Sequence, residues 1–274
     1  MEKQDLRSFG RIHGKRLSAR QAWLVENVLP MLNPVGANNH LPLRPAILEI
    51  GFGAGEHLLH LAKTFPDHII IGAEPFINGV ASLLSQMTNT VGANNIRPDN
   101  TADSKSECYS PLQLIKPEYH NIHIWPDDIR KFFTNCTLHS ANCTFTKIYI
   151  LHPDPWPKAR HEKRRLLTAE FLNELAAHLT PGGQIIIGTD HTEHFNWVLN
   201  NVQCAACSVQ IKNKKIKNNA ADNCTLQTAN CTLKSKSHSD FDFMTPPEPG
   251  LDTRYQRKNK FGSEKPMYLV LKKS

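Results

Sequence analysis

The chain is expected to fold as an α/β domain around a mostly parallel sheet. Three observations predict this. Short apolar runs of strand length recur at residues 46–50, 68–73, 121–125, 147–152, 184–188 and 267–271. Segments of helical periodicity lie between most of them, and strands alternating with helices argue for a parallel sheet. The first run enters Gly51, Gly53 and Gly55, a turn that lets backbone approach a ligand closely.

Taken in order, residues 1–20 are basic and polar, with Arg7, Arg11, Lys15, Arg16 and Arg20, and read as a flexible arm. A helix follows near 19–29 and Pro30 is expected to stop it. Ala46-Ile-Leu-Glu-Ile50 is a buried strand, and Glu56 to Phe65 a helix with apolar residues at 58, 59, 61, 62 and 65. His68 to Ala73 is the second strand and Ile77 to Met87 the second helix of the alternation. Residues 121–125 and 147–152 supply two further strands, and Lys163 to His178 a helix ending in Leu-Thr-Pro-Gly-Gly183. The strand at 184–188, a helix at 193–201 and the late strand at 267–271 complete the series.

Three stretches break this rhythm, near 88–118, 134–146 and 212–239. They share copied material. Asn135-Cys-Thr-Leu-His-Ser-Ala-Asn-Cys-Thr-Phe145 matches Asn223-Cys-Thr-Leu-Gln-Thr-Ala-Asn-Cys-Thr-Leu233, and Val35-Gly-Ala-Asn-Asn39 recurs at 91–95. The copies fall between elements, so they read as insertions, tolerated because loop-closure entropy grows slowly with length. The organisation expected is an arm over 1–20 and a single domain over 21–274. The repeats carry Cys136, Cys143, Cys224 and Cys231, but their six-residue gap is wider than zinc spacings and no metal is expected.

A formal net charge of +7 and a pI of about 9.0 tilt the partner toward a polyanion. No run of about 18 apolar residues is present, so no membrane span is expected. The first residues have no apolar core like that of a signal peptide, and the expected location is the cytoplasm, with reduced cysteines.

Glu49 and Glu74 sit at the ends of the first two strands. Position 56 is Glu, where the dinucleotide fingerprint wants its third glycine. That spacing, and Glu49 as an anionic neighbour, favour the cationic S-adenosyl-L-methionine over a dinucleotide. Glu74 can accept both ribose hydroxyls, or it can be a helix-start acid. Asp127 or Asp128, after the third strand, can meet the adenine amino group or cap a helix.

The strongest signal is Pro153-Asp-Pro-Trp-Pro-Lys158, followed by Ala-Arg-His-Glu-Lys-Arg-Arg165. The three prolines fix φ and remove donors, so this segment is a rigid loop that presents Asp154. Trp156 can stack on a base or pack in the core. Lys158, Arg160, Lys163, Arg164 and Arg165 form a cationic strip beside it, suited to backbone phosphates.

These residues resemble the bacterial type of tRNA (guanine-N7)-methyltransferase. The resemblance rests on Leu48-Glu-Ile-Gly-Phe-Gly-Ala-Gly55, Gly72-Ala-Glu74, the loop 153–158, Arg160-His-Glu-Lys-Arg-Arg165, Gly188-Thr-Asp190, Thr253-Arg-Tyr255 and Ser8-Phe-Gly-Arg11. It implies a Rossmann-like class I methyltransferase fold, with a seven-stranded sheet flanked by helices and an antiparallel late strand. It implies that Glu49, Gly51, Gly53, Glu74, Asp128 and Asp154 contact S-adenosyl-L-methionine or the reacting centre. Lys158, Asp190, Thr253, Arg254, Tyr255 and Gln256 would hold the tRNA guanosine, with Gln256 where the family usually has Glu. Arg160, Lys163, Arg164 and Arg165 would hold phosphates. The position implied is 46, in the variable loop, and the enzyme would act as a monomer or homodimer.

Other readings are an N6-adenine methyltransferase, a non-catalytic RNA-binding protein and a nicotinamide oxidoreductase. The first wants Asn-Pro-Pro-aromatic where this chain has His-Pro-Asp-Pro. The second fits poorly with intact Glu49, Glu74 and Asp154, and the third with the glycine spacing.

Overall fold

The computed structural model describes residues 10, 12–34, 44–89, 111–135, 144–210, 225–228, 231–234, 246–251 and 266–273. The chain divides into two compact units, Met1–Arg44 with Phe52–Thr137, and Pro45–Gly51 with Leu138–Ser274.

In the first unit, β2 (Ile69–Ala73) and β3 (Ile122–Trp125) pair in parallel, with Ile70 opposite Ile122 and Ala73 opposite Trp125. β2 is buried along its whole length, which is why it reads as a continuous apolar run and not as an alternating one. Helices α3 (Glu56–Thr64), α4 (Ile77–Met87) and α5 (Ile129–Asn135) belong to this unit. α4 buries Val80, Ala81, Leu83, Leu84 and Met87 at the three-and-four spacing of one helical face.

Helix α1 (Ala19–Asn27) starts on a capping box, in which Ser18 Oγ accepts from Gln21 N and Gln21 Oε1 accepts from Ser18 N. Pro30 does not end the helical region as expected. It sits in the first turn of α2 (Leu29–Leu32), where a missing N–H removes no intrahelical bond. Residues 12–20, expected as the end of a flexible arm, are tied down. Ile77 N donates to Ile12 O, Gly14 N donates to Asn78 Oδ1 at 2.7 Å, Asn78 Nδ2 donates to Lys15 O, and Arg20 Nη2 donates to Thr88 Oγ1.

In the second unit, β1 (Ala46–Ile50) pairs in parallel with β4 (Phe145–Leu151), and β4 in parallel with β5 (Leu179–Thr189). β8 (Met267–Lys273) pairs antiparallel with β5, as expected of the late strand. Helices α6 (Ala169–Ala177) and α7 (Thr192–Gln210) follow the alternation. Six described strands alternate with helices in this way, so the expected seven are not met among the described residues. β6 (Thr225–Thr228) and β7 (Cys231–Lys234) instead form an antiparallel hairpin inside the third insertion, and β7 pairs with β8.

The helix expected over 163–178 begins later. Residues 159–164 form a 3-10 segment, Arg165 is extended, and Thr168 caps α6 by accepting from Phe171 N. A side-chain cap resets the helical count at that point. Leu179–Gly183 is not the helix end but the start of β5. There Phe145 pairs with Leu179 and Lys147 with Gln184, so β5 carries a bulge that Gly182 accommodates at φ 76°.

Candidate active site

The first unit builds one part of the site around Glu74. Its backbone N–H continues the β2–β3 pairing by donating to Trp125 O at 3.0 Å. Its buried carboxylate accepts from Gly53 N at 2.7 Å and from Phe76 N at 2.9 Å, which fixes the carboxylate plane. The glycine turn is therefore held by the acid that follows β2. Gly51, Gly53 and Gly55 have φ of 77°, 58° and 84°, the left-handed region that side chains disfavour. A Cβ on Gly55 would stand 2.5 Å from Leu83 Cδ1, so α4 packs closely under the turn. Gly79, in the first turn of α4, comes so close that its Cβ would stand 2.3 Å from Gly53 O. Gln86 Nε2 reaches back to Ala54 O from the other end of α4. An immobilised buried carboxylate held to a glycine turn is an arrangement that could accept the ribose hydroxyls of S-adenosyl-L-methionine.

At the end of β3 the helix-cap reading is realised. Asp128 Oδ1 accepts from Arg130 N at 3.0 Å and from Arg130 Nε at 2.9 Å, while Oδ2 takes Arg130 Nη2 at 2.7 Å. Asp127 accepts from Asp128 N and pairs with Lys131. Both carboxylates thus have local work at the start of α5.

The second unit carries the Asp154 loop. β4 ends at Leu151, and His152 N still donates to Gly188 O at 2.7 Å. Asp154 is exposed. His152 and Trp156, two residues to either side, have φ of 52° and 41°. Left-handed backbone at non-glycine residues costs of order 1–3 kcal/mol each and persists only where surroundings enforce it. The enforcement is visible at Trp156. Arg165 Nε donates to Pro155 O at 3.0 Å and its Nη2 to Trp156 O at 3.2 Å. The Arg164 guanidinium lies over the Trp156 ring at 5.0 Å, and His161 meets that ring edge-on at 5.6 Å. Arg165 also lies over Trp197, whose Nε1 donates to Glu162 Oε1 at 2.7 Å.

The cationic strip divides by its contacts within the chain. Arg164 and Arg165 turn back onto the loop, because two main-chain carbonyls and two indoles attract their guanidinium groups. Lys158, Arg160 and Lys163 are exposed. Trp156 is half-buried in this clamp.

Asp190, buried at the end of β5, lies 3.6 Å from His152 Nδ1. Burial pushes the His152 pKa down, with Asp190 opposing. Thr189 Oγ1 accepts from His191 N, and His191 Nδ1 accepts from His194 N. His194 stacks on Trp197 with ring centroids 5.7 Å apart. Burial first, then the Arg165 cation, push its pKa down to about 4. Glu49 is buried on β1 opposite Tyr149 of β4.

Sequence reasoning missed Glu248. Its carboxylate accepts from the Tyr149 hydroxyl and pairs with Lys147 Nζ. The available signal was two polar side chains at alternate positions of a buried strand. Thr253, Arg254, Tyr255 and Gln256 lie outside the described residues, as do Arg7, Arg11, Cys136, Cys143 and Cys224. No helix among the described residues is long and apolar enough to cross a membrane.

The family model described as "Putative methyltransferase" matches residues 43–239, more than half of the chain. A tRNA (guanine-N(7)-)-methyltransferase of Erythrobacter litoralis is 36% identical over 213 residues, covering 70% of this chain and 78% of that protein. One of Novosphingobium aromaticivorans is 36% identical over 199 residues, covering 70% and 73%. One of Rhodospirillum rubrum is 27% identical over 282 residues, covering 98% and 89%. By these matches, the chain belongs to the tRNA (guanine-N7)-methyltransferase family.

Proposed function

We propose that this protein methylates N7 of guanosine in tRNA, at position 46 of the variable loop, in the cytoplasm. The observation that carries the chemistry is the Asp154 loop, held by Arg165 and flanked by two left-handed residues in a chain of this family.

S-adenosyl-L-methionine supplies an electrophilic methyl group on a sulfonium. Glu74, fixed by Gly53 N and Phe76 N, accepts the ribose hydroxyls. Gly51 and Gly53 shape the turn with left-handed backbone. Asp128, pinned by Arg130, stands at the adenine end, and Glu49 serves the cationic end of the cofactor.

Guanine N7 has an in-plane lone pair and no proton at neutral pH, so no side chain has to act as a base on it. The protein works by alignment and by electrostatics. Asp154 positions the base and stabilises the positive charge that develops on the purine. Lys158, Asp190 and the segment Thr253, Arg254, Tyr255 and Gln256 hold the guanosine. Lys158, Arg160 and Lys163 meet the phosphates, while Arg164 and Arg165 keep the loop in place.

The test is transfer of labelled methyl to unmodified tRNA, followed by nucleoside analysis of the digest. Wild-type protein should yield N7-methylguanosine, and Asp154→Ala should nearly abolish it while the protein keeps its melting temperature. A digest without N7-methylguanosine, or an Asp154→Ala protein of full activity, would sink the reading.

A further inference from the structure

Helix α7 presents two stripes in its first turns. Phe195, Val198 and Val202 are buried at the three-and-four spacing of a core-facing side. His194 and Trp197, three residues apart, make the other, with ring centroids 5.7 Å apart and planes 13° from parallel. His191 ties this stripe to the end of β5. Its Nδ1 accepts from His194 N, and its own N–H donates to Thr189 Oγ1.

Trp197 uses both its polar edge and its ring on one segment, residues 159–165. Its Nε1 donates to Glu162 Oε1 at 2.7 Å, and the Arg165 guanidinium lies over its ring at 5.0 Å. Glu162 and Arg165 are also joined through the backbone, where Arg165 N donates to Glu162 O at 2.9 Å. The indole therefore bridges the two ends of one tight turn. A half-buried side chain that only filled space would need neither contact.

The turn matters because of what Arg165 holds. Its Nε and Nη2 donate to the carbonyls of Pro155 and Trp156, the two residues that follow Asp154. Arg165 is long, half-exposed and in sequence beside the exposed Lys158, Arg160 and Lys163. A guanidinium in that setting is also well matched to phosphate, so two carbonyls alone do not determine where it rests. The Trp197 ring supplies a third point of attachment, which narrows the rotamers open to the side chain. Burial of His194, and then the Arg165 charge, push the His194 pKa down to about 4, so no second cation competes for the indole.

We propose that Trp197 is a positioning residue: tied by Glu162, it seats Arg165 on the Pro155 and Trp156 carbonyls and so holds the Asp154 loop from α7. This rests on the assignment of Asp154 to the reacting centre. It makes the helix that begins just after Asp190 part of the support of the Asp154 loop.

The experiment uses the full chain with Trp197→Leu, Trp197→Phe, Glu162→Ala and Glu162→Gln, each made alone and together with Arg165→Ala. It measures single-turnover methyl transfer at saturating tRNA and S-adenosyl-L-methionine, the tRNA Kd, and melting temperature. Trp197→Leu should lower the rate about fivefold, the size of a lost cation–π contact, with the tRNA Kd within about twofold of wild type. Trp197→Phe keeps a ring and should recover part of the loss. Glu162→Ala changes an exposed residue, so it reports even if Trp197→Leu folds poorly, and it should lower the rate about threefold. Glu162→Gln keeps an acceptor for the indole N–H and should restore the rate. Beside Arg165→Ala, the same substitutions should change the rate by less than about 1.5-fold, because the group through which they act is gone.

A wild-type rate in Trp197→Leu or in Glu162→Ala overturns the proposal. So does a Trp197→Leu loss that is as large beside Arg165→Ala as alone, which would make Trp197 a packing residue that does not act through Arg165. A wild-type protein inactive on tRNA would instead remove the functional reading on which this one stands.

Discussion

Arg165→Ala separates a loop clamp from a phosphate contact. The substitution deletes two donors at once and leaves Pro155 O and Trp156 O without them. Hydrogen bonds from a charged donor contribute roughly 1.5–3 kcal/mol each. The arginine over Trp197 adds about 0.5–1 kcal/mol. Against this stands the left-handed backbone of Trp156, a strain of order 1–3 kcal/mol. Loss of about 3 kcal/mol or more of restraint exceeds the strain, so Trp156 should relax and carry Asp154 with it. A misplacement of about 1 Å can cost on the order of 100-fold in rate. The assay is single-turnover methyl transfer at saturating tRNA, beside tRNA binding as a function of salt. Arg165→Ala should lower the rate about 100-fold, with tRNA affinity and its salt slope little changed. The triple variant Lys158→Ala, Arg160→Ala, Lys163→Ala should do the opposite, weakening binding and flattening the salt dependence. A normal rate in Arg165→Ala, together with weaker binding and a slope reduced by about one, would return Arg165 to the phosphates and refute the clamp.

Gly79→Ala should drive α4 away from the glycine turn, because the new Cβ meets a main-chain oxygen at 2.3 Å that has no rotamer to yield. Overpacking of this kind costs about 1–3 kcal/mol, so calorimetry should show weaker S-adenosylhomocysteine binding alongside a lower melting temperature, and unchanged binding would contradict the close approach. His194 should make the fold sensitive to acid. Its native pKa is held down at about 4, so between pH about 6.5 and 4 the unfolded chain binds more protons than the native one, and stability falls as pH drops through that window by roughly 3 kcal/mol. Burial shifts His152 and His123 in the same direction. Melting curves from pH 7.5 to 4.5 should show the loss, and His194→Phe should blunt it; equal slopes for the two proteins would assign the effect elsewhere.

Strands were legible where burial is symmetrical. The run 69–73 is apolar at each residue because both of its faces are covered, and α4 announced itself by its one apolar face. Boundaries governed by single side chains were harder to read. The Thr168 cap splits what periodicity shows as one helix, and the bulge opposite Lys147 draws Leu179–Gly183 into β5. Asp154 and Glu74 stood out because their neighbours in sequence, prolines and glycines, are unusual. Arg165 did not, since the same charge pattern serves a phosphate or a carbonyl and only distance decides. Glu248 was out of reach for a further reason, because its partners lie on a strand about 100 residues earlier.

The two copies of the Asn-Cys-Thr sequence adjoin the sheet at different places. The first copy ends at Phe145, where it feeds β4, a strand already flanked by β1 and β5. The second copy adjoins β8, and there residues 225–228 and 231–234 pair as two antiparallel strands, the second of which pairs with Lys272 and Lys273. An open sheet edge can take up whatever segment is able to pair with it. The hairpin lies on the side of β8 away from β5, so the sheet of this unit is two strands wider there.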